Sequence, residues 1–155
     1  METKTQSKRQ PKPAEMNWLV PALTVKDISK ALGFYEKAFG FQKGIAMPGP
    51  DGRLVHADMK YKGASIFMMG LEGAMGCTVK TPASSKSDCP AGFYVYCDDV
   101  DALFRRAKEA GAVVTSEPTD MFWGDRMTQL KDLDGYNWMF ATNVADFDPA
   151  KAPKG

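Results

Sequence analysis

The chain contains a single histidine, His56, and a carboxylate follows two positions later at Asp58. Imidazole titrates near neutral pH, which makes histidine a common general base. Side chains two positions apart on a β-strand project from the same face, so Asp58 is placed to orient the ring. The pair therefore predicts a catalytic dyad that acts on a carbonyl substrate. The alternative is a hydrogen-bonded strand histidine near a rim, with Asp58 as a solvated edge charge.

Trp123 and Arg126 occupy one short segment, Met121-Phe122-Trp123-Gly124-Asp125-Arg126-Met127. An indole face and a guanidinium fork can clamp a planar or carboxylate-bearing ligand. The segment therefore predicts ligand contacts from both side chains. The alternative is that Trp123 packs its own loop while Arg126 pairs with Asp125 or with a dimer partner.

Tyr94 and Tyr96 stand two positions apart in an apolar stretch, which places both rings on one face of a predicted strand. Each offers an apolar ring and a polar hydroxyl, a combination that suits the wall of a binding pocket. The alternative is that they only fill space. Three further apolar side chains are predicted to line the same pocket, namely Phe67, Met69 and Met139.

The elements that must position these residues occur twice. Matching positions in the two halves differ by 72 residues, as in the pairs Asp27 and Asp99, Ala38 and Ala110, and Gly63 and Gly135. Each half predicts a strand, a helix with an aspartate N-cap, and three more strands. We expect a disordered arm over residues 1–16, one domain over 17–144 and a tail over 145–155. Within the domain, the first module spans 17–70, a linker 71–90, and the second module 91–144.

Five motifs follow one another in order. Val25-Lys26-Asp27 with Phe34-Tyr35 and Phe39-Gly40-Phe41 opens the first half, Asp98-Asp99-Val100 with Ala110-Gly111-Ala112 opens the second, and residues 122–126 and 131–138 end it. Together they resemble the vicinal oxygen chelate superfamily of glyoxalases, bleomycin-resistance proteins and extradiol dioxygenases. Residues 56–59 and 123–126 are similar to its PhnB-like branch. The resemblance implies an α+β fold of two βαβββ modules that form a cupped mixed sheet, with the helices on the convex side.

In the metal-dependent members of this superfamily, four ligands line the cup. The resemblance places these positions at Val20, Phe67, Gly92 and Met139. Strand pairing across the Lys62-Gly63 turn predicts that His56 and Asp58 lie on the same face as Phe67 and Met69. An aliphatic group, a phenyl ring, a glycine and a thioether do not suit a hard divalent ion, so we expect no metal and no cofactor. A non-standard metal site at His56, Asp58 and Glu72 is the alternative.

The formal net charge is +1 and the basic residues are dispersed apart from a stretch over 4–12, which argues against nucleic acid or an anionic membrane as a partner. No apolar run approaches the ~20 residues that span a bilayer, and the start of the chain lacks a signal-peptide core, so we expect a cytoplasmic location. The odd number of cysteines indicates reduced thiols at Cys77, Cys89 and Cys97.

These observations favour a metal-free binding protein of the bleomycin-resistance or PhnB-like type, which holds an aromatic or amphipathic small molecule. The alternative is a glyoxalase-like lyase or isomerase, or another enzyme of the superfamily, that uses His56 as a base or a non-standard metal site. The resemblance also implies a homodimer in which modules share cups. The sequence does not distinguish pairing within one chain from pairing exchanged between chains.

Overall fold

The computed structural model describes residues 9–154, so the first half of the predicted disordered arm lies outside the described residues. The first module contains β1 (Ala22–Val25), α1 (Ile28–Phe39), β2 (Gln42–Pro48), β3 (Leu54–Tyr61) and β4 (Ala64–Leu71). After a short α2 (Pro82–Ser85), the second module contains β5 (Gly92–Tyr96), α3 (Val100–Glu109), β6 (Val113–Asp120), β7 (Asp125–Lys131) and β8 (Asn137–Asn143). The predicted α+β fold of two βαβββ modules is confirmed.

Each module builds its own four-stranded mixed sheet. The strand orders are β1-β4-β3-β2 and β5-β8-β7-β6, and only the β1–β4 and β5–β8 pairs are parallel. The two orders match position for position, so the internal repeat of the sequence is also a repeat of topology. No helix of the described chain is long and apolar enough to cross a membrane.

Local sequence explains where the two main helices begin and end. The carboxylate of Asp27 accepts a hydrogen bond from the Lys30 amide at the start of α1, and Asp99 does the same for the Ala102 amide at the start of α3. Gly40 ends α1 in the left-handed conformation with φ 70°. The aspartate caps predicted from the repeat are therefore present in both modules.

Helix α2 was not predicted, because residues 71–90 were expected to form a loop. Thr81 caps this single turn through its hydroxyl, which accepts from the Ser84 amide, and Pro82 occupies the first helical position. A threonine followed by proline is a recognised start signal for a helix, and the sequence carried it.

The helix-covered faces of both sheets share one hydrophobic core. Tyr35 of α1 contacts Phe67 of the first sheet and Trp138 of the second, with ring centroids 5.0 and 5.6 Å apart. Alternate residues of β1, β5 and β8 belong to this core or pack against it: Leu23, Val25, Phe93, Val95, Trp138 and Phe140. Burial of each large apolar side chain stabilises the fold by roughly 1.5–3 kcal/mol.

Asp132 is a buried carboxylate that ties the two modules together. Its Oδ2 accepts hydrogen bonds from the Tyr35 hydroxyl at 2.6 Å and the Trp138 indole at 2.8 Å. Its Oδ1 accepts from the backbone amides of Asp134 and Tyr136. Burial raises the pKa of Asp132, while these four donors oppose the shift. At the other end of the module junction, Lys62 pairs with Asp98 at 2.8 Å.

Segments on either side of the two modules contact the domain. Glu15 accepts from the Ser65 amide and Met16 forms a parallel bridge with Ser65, which extends the free edge of the first sheet. After β8, Phe147 lies 6.2 Å from Phe122 between ring centroids. The backbone from Pro149 to Lys151 forms one 3-10 turn.

Candidate functional site

Most of the predicted site residues lie on the sheet faces that point away from the shared core, which we call the concave faces. In the second module, Tyr94 of β5 pairs with Met139 of β8. In the first module, His56 of β3 pairs with Gly70 of β4, and Asp58 with Met68. Residues paired directly across neighbouring strands project to the same side of a sheet. The structure therefore presents two separate groups, one on each module.

The group on the second module is a polar corner with an aromatic lining. The hydroxyls of Tyr94 and Tyr96 both donate to Oδ2 of Asp125, at 2.8 and 2.9 Å. The indole of Trp123 donates to the Tyr94 hydroxyl at 3.2 Å, and the Asn143 amide donates to Oδ1 of Asp125 at 3.0 Å. We call Tyr94, Tyr96, Trp123, Asp125 and Asn143 the aromatic corner.

The aromatic corner carries a single negative charge, on Asp125. Burial opposes ionisation of Asp125, yet the hydrogen bonds from Asn143 and the two tyrosines together hold its pKa below the usual value. Burial and the nearby carboxylate raise the pKa of Tyr94 to about 12. At neutral pH the corner therefore holds an ionised Asp125 and neutral tyrosines.

Asp125 is the functional candidate that the sequence analysis missed. It begins β7 and pairs with Asn143, so it lies on the concave face, and only 2% of its surface is exposed. Neighbouring residues of a strand point to opposite faces, so either Asp125 or Arg126 can face the cup, but not both. Strand alternation was therefore the sequence signal that could have identified Asp125 as a candidate.

Arg126 lies on the opposite, helix-covered face. Its guanidinium contacts the Asp101 carboxylate of α3 through two nitrogens, at 2.7 and 2.9 Å, and Asp120 of β6 at 3.0 Å. In this arrangement Arg126 does not pair with Asp125 and does not reach the concave face. The predicted clamp of Trp123 and Arg126 is therefore not assembled, and Arg126 joins β6 and β7 to α3 instead.

The group on the first module contains the predicted dyad. Nε2 of His56 lies 3.0 Å from Oδ1 of Asp58, and both side chains occupy the concave face as strand alternation predicts. Asp58 is buried and about a third of the His56 side chain is exposed. Beside them lies a hollow of about 450 Å³, which we call the module-one hollow, lined in part by Trp18, Val20, Ile45, Asp58 and Met68.

The register predicted for the first module was wrong. Asp58 pairs with Met68 and Met59 with Phe67, whereas the prediction placed His56 and Asp58 on the face of Phe67 and Met69. Phe67 and Met69 are fully buried in the core beneath the helices, with 1% and 0% of their surfaces exposed. They therefore do not line the concave face, and Met68 takes the position expected for Phe67.

A groove of about 380 Å³ runs along the free edge of β5, between the two modules. Tyr94 and Tyr96 form its wall on the second module, and Pro21 and Ile66 form its wall on the first. Tyr94 and Tyr96 are 39% and 57% exposed, so their rings remain open to a ligand. The rings lie edge to face with centroids 5.5 Å apart.

Comparison with known proteins identifies this architecture. The model of the Glyoxalase/Bleomycin resistance protein/Dioxygenase superfamily matches residues 16–140. The chain belongs to this superfamily. Uncharacterized protein Mb0911c of Mycobacterium bovis is 36% identical over 129 residues, which cover 83% of this chain and 84% of the relative.

Solved structures of superfamily relatives have the same fold. TioX from Micromonospora sp. ML1 is 27% identical with a TM-score of 0.63, over 81% of this chain and 98% of TioX. TnmS3, an antibiotic binding protein from Streptomyces sp. CB03234, is 26% identical with a TM-score of 0.53, over 81% of this chain and 96% of TnmS3. The similarity to the PhnB-like branch stays a prediction.

The superfamily includes metal-dependent enzymes, and the residues here do not fit such a metal. With the register corrected, the four cup positions hold Val20, Met68, Gly92 and Met139, which offer no carboxylate and no imidazole. Among residues 9–154, no group of three or more His, Cys, Asp or Glu side chains could hold an ion. Glu72, proposed as a third ligand beside His56 and Asp58, accepts a hydrogen bond from Ser84 instead. Cys77, Cys89 and Cys97 form no disulfide with one another in the described structure.

Proposed function

We propose that this superfamily member binds an aromatic or amphipathic small molecule on its concave faces without using a metal. The observation that carries the proposal is the aromatic corner: two partly exposed tyrosine rings and an indole, held by the buried carboxylate of Asp125. Apolar walls with a few fixed polar groups are the usual composition of a ligand pocket. The antibiotic-binding activity of TnmS3, at 26% identity, supports the same reading.

We further propose that a homodimer completes the binding site. The concave face of the first module exposes Ile45 and Met47, which are 59% and 49% exposed, and Trp18 and Leu19 beside them are more than 80% exposed. Contiguous exposed apolar surface on a folded domain marks an interaction site. A second copy placed with its aromatic corner over this face would bring Tyr94 and Tyr96 opposite His56 and Asp58.

The dimer is tested by sedimentation of the purified protein, with an expected mass of twice the 17.0 kDa of one chain. Ile45→Glu should shift the mass towards one chain, because it places a charge on the proposed interface. Leu133→Glu is the matched control, since Leu133 is 50% exposed but lies in the turn between β7 and β8. A single-chain mass for the unmodified protein at high concentration would contradict the proposal.

Ligand binding is tested by titration of intrinsic tryptophan fluorescence with a library of planar aromatic compounds. Trp123 is the reporter in the aromatic corner, and Trp18 lines the module-one hollow. Trp123→Phe should therefore remove the response of a ligand bound at the corner while retaining an aromatic ring. Trp138 is a poor reporter because it is buried in the core with 1% of its surface exposed. Flat titrations over the whole library would overturn the binding proposal.

A second candidate function rests on the His56–Asp58 pair. A histidine 3.0 Å from a buried carboxylate, on a face that also carries a hollow, has the geometry of an oriented general base. The corresponding activity is proton abstraction from a carbonyl substrate without a metal. Once a substrate is found, His56→Ala should lower kcat by about 100-fold or more. Full activity in that variant would exclude this function and would leave the binding proposal intact.

A further inference from the structure

The direction of every hydrogen bond in the aromatic corner is fixed by the chemistry of its members. An ionised carboxylate only accepts, so both tyrosine hydroxyls must donate to Asp125. An indole N–H only donates, so Trp123 must donate to the oxygen of Tyr94. No hydroxyl hydrogen is left to point into the cup.

The exposed tyrosine oxygens are therefore acceptors only. A tyrosine hydroxyl has one hydrogen and two lone pairs. Tyr94 keeps one free lone pair after accepting from Trp123, and Tyr96 keeps two among the described hydrogen bonds. Both side chains are more than a third exposed, so they are open to a ligand on this face.

Charge on the concave face of the second module favours the same kind of ligand. On β7 and β8, the charged residues of this face are Asp125 and Lys131 of β7, at opposite ends of the strand. Six residues of extended chain separate them by about 20 Å, and Lys131 already pairs with Asp88 at 2.6 Å. The side chains that donate to Asp125 in the described structure, Tyr94, Tyr96 and Asn143, are all neutral, so its negative charge remains beside the electron-rich tyrosine rings.

We propose that the aromatic corner selects planar ligands that carry a protonated amine or another N–H donor, and that it disfavours anionic ligands of the same shape. A donor group would bond to the tyrosine oxygens, and its positive charge would interact with the tyrosine and indole faces. A carboxylate or sulfonate would meet only lone pairs and the field of Asp125. This selectivity rests on the binding function proposed above, and it specifies the charge and the hydrogen-bonding groups of the ligand.

The test uses two tricyclic probes of similar size, the cation 9-aminoacridine and the anion anthracene-9-carboxylate, titrated by calorimetry at pH 7 and low salt. We expect the cation to bind at least about tenfold more tightly. Tyr96→Phe keeps the ring and removes one acceptor oxygen, so the preference should fall. Asp125→Asn should abolish it, because an amide can donate to a tyrosine oxygen and release a hydroxyl hydrogen into the cup.

Asp51→Asn is the control, since it removes the same charge from an exposed turn where Asp51 pairs only with Arg53. It should leave the preference unchanged. Equal binding of the two probes, or tighter binding of the anion, would overturn the selection while leaving the binding function in place. If neither probe binds, the proposed binding function fails together with the selection. If Asp125→Asn does not fold, Tyr96→Phe decides the role of the acceptor oxygens.

Discussion

The terminal methyl of Met139 occupies the space that a side chain at Gly92 would need. A Cβ placed on Gly92 would lie 2.8 Å from Cε of Met139. The resemblance to the superfamily places two of its metal-ligand positions at these residues. The second module has a glycine and a thioether there, directly beside Tyr94, the residue that pairs with Met139.

This contact predicts coupling between Gly92 and Met139. Gly92→Ala should force the flexible Met139 side chain towards the ligand, so we expect the affinity for a planar probe to fall about threefold to tenfold. Met139→Ala should restore it in the double variant, because the displaced methyl is gone. Calorimetric titration of the four proteins measures the coupling. If Gly92→Ala lowers the ligand affinity by the same factor in the unmodified protein and in the Met139→Ala background, the two residues are not coupled.

A second prediction separates the two faces of β7. Arg126→Gln removes the contacts with Asp101 and Asp120 under the helices, so it should lower the thermal unfolding midpoint. Ligand affinity should stay within about twofold, because Arg126 does not reach the concave face. Trp123→Phe, in the same segment, should show the reverse pattern. A large loss of ligand affinity in Arg126→Gln would show that Arg126 contributes to the binding site.

The register of the first module shows how far the sequence alone could go. The Lys62-Gly63 turn pairs Tyr61 with Ala64, as predicted, and without irregularity that pairing would continue to Asp58 and Phe67. A β-bulge inserts one extra residue in β4 between its pairings with Lys60 and Met59. Beyond it every side chain changes face, so Phe67 enters the core and Met68 enters the cup.

The bulge had no separate signal in the sequence, whereas the second module could be predicted further. There the register runs from Lys131–Asn137 to Asp125–Asn143 without interruption. Strand alternation alone therefore placed Tyr94, Tyr96 and Met139 on the concave face. The partnership of the tyrosines with Asp125 required the three-dimensional structure, because β5 and β7 are not neighbours in the sheet.

A third prediction concerns the buried carboxylate between the modules. Asp132→Asn places an amide N–H against the Tyr35 hydroxyl and the Trp138 indole, and the indole cannot change from donor to acceptor. We expect a loss of about 2–4 kcal/mol in the free energy of unfolding, measured with urea. Tyr35→Phe removes only one donor and should cost about 1 kcal/mol. Similar values for the two variants would mean that Asp132 does not act as the shared acceptor.

A fourth prediction concerns the turn that positions Trp123. Gly124 has φ 100°, and a Cβ at this position would overlap the carbonyl oxygen of Ala145 in the tail. Gly124→Ala should destabilise the fold by about 1–3 kcal/mol and weaken ligand binding, because the loop and the tail must separate. Gly52→Ala is the matched control, with φ 81° and open space around the added methyl. If Gly124→Ala and Gly52→Ala lower the free energy of unfolding equally, contact with the tail contributes nothing to the loss.

A fifth prediction follows from the charge of Asp125. Its pKa is lower in the folded state than in the unfolded chain, so the stability that it contributes is present above about pH 4 and is lost as the pH falls through the folded-state pKa. The difference in unfolding free energy between the unmodified protein and Asp125→Asn should therefore be largest near pH 7 and shrink towards pH 3. Urea unfolding at a series of pH values measures this difference, with Asp51→Asn showing what an exposed, arginine-paired aspartate contributes. A difference that stays constant over this range would mean that Asp125 keeps an ordinary pKa in the fold.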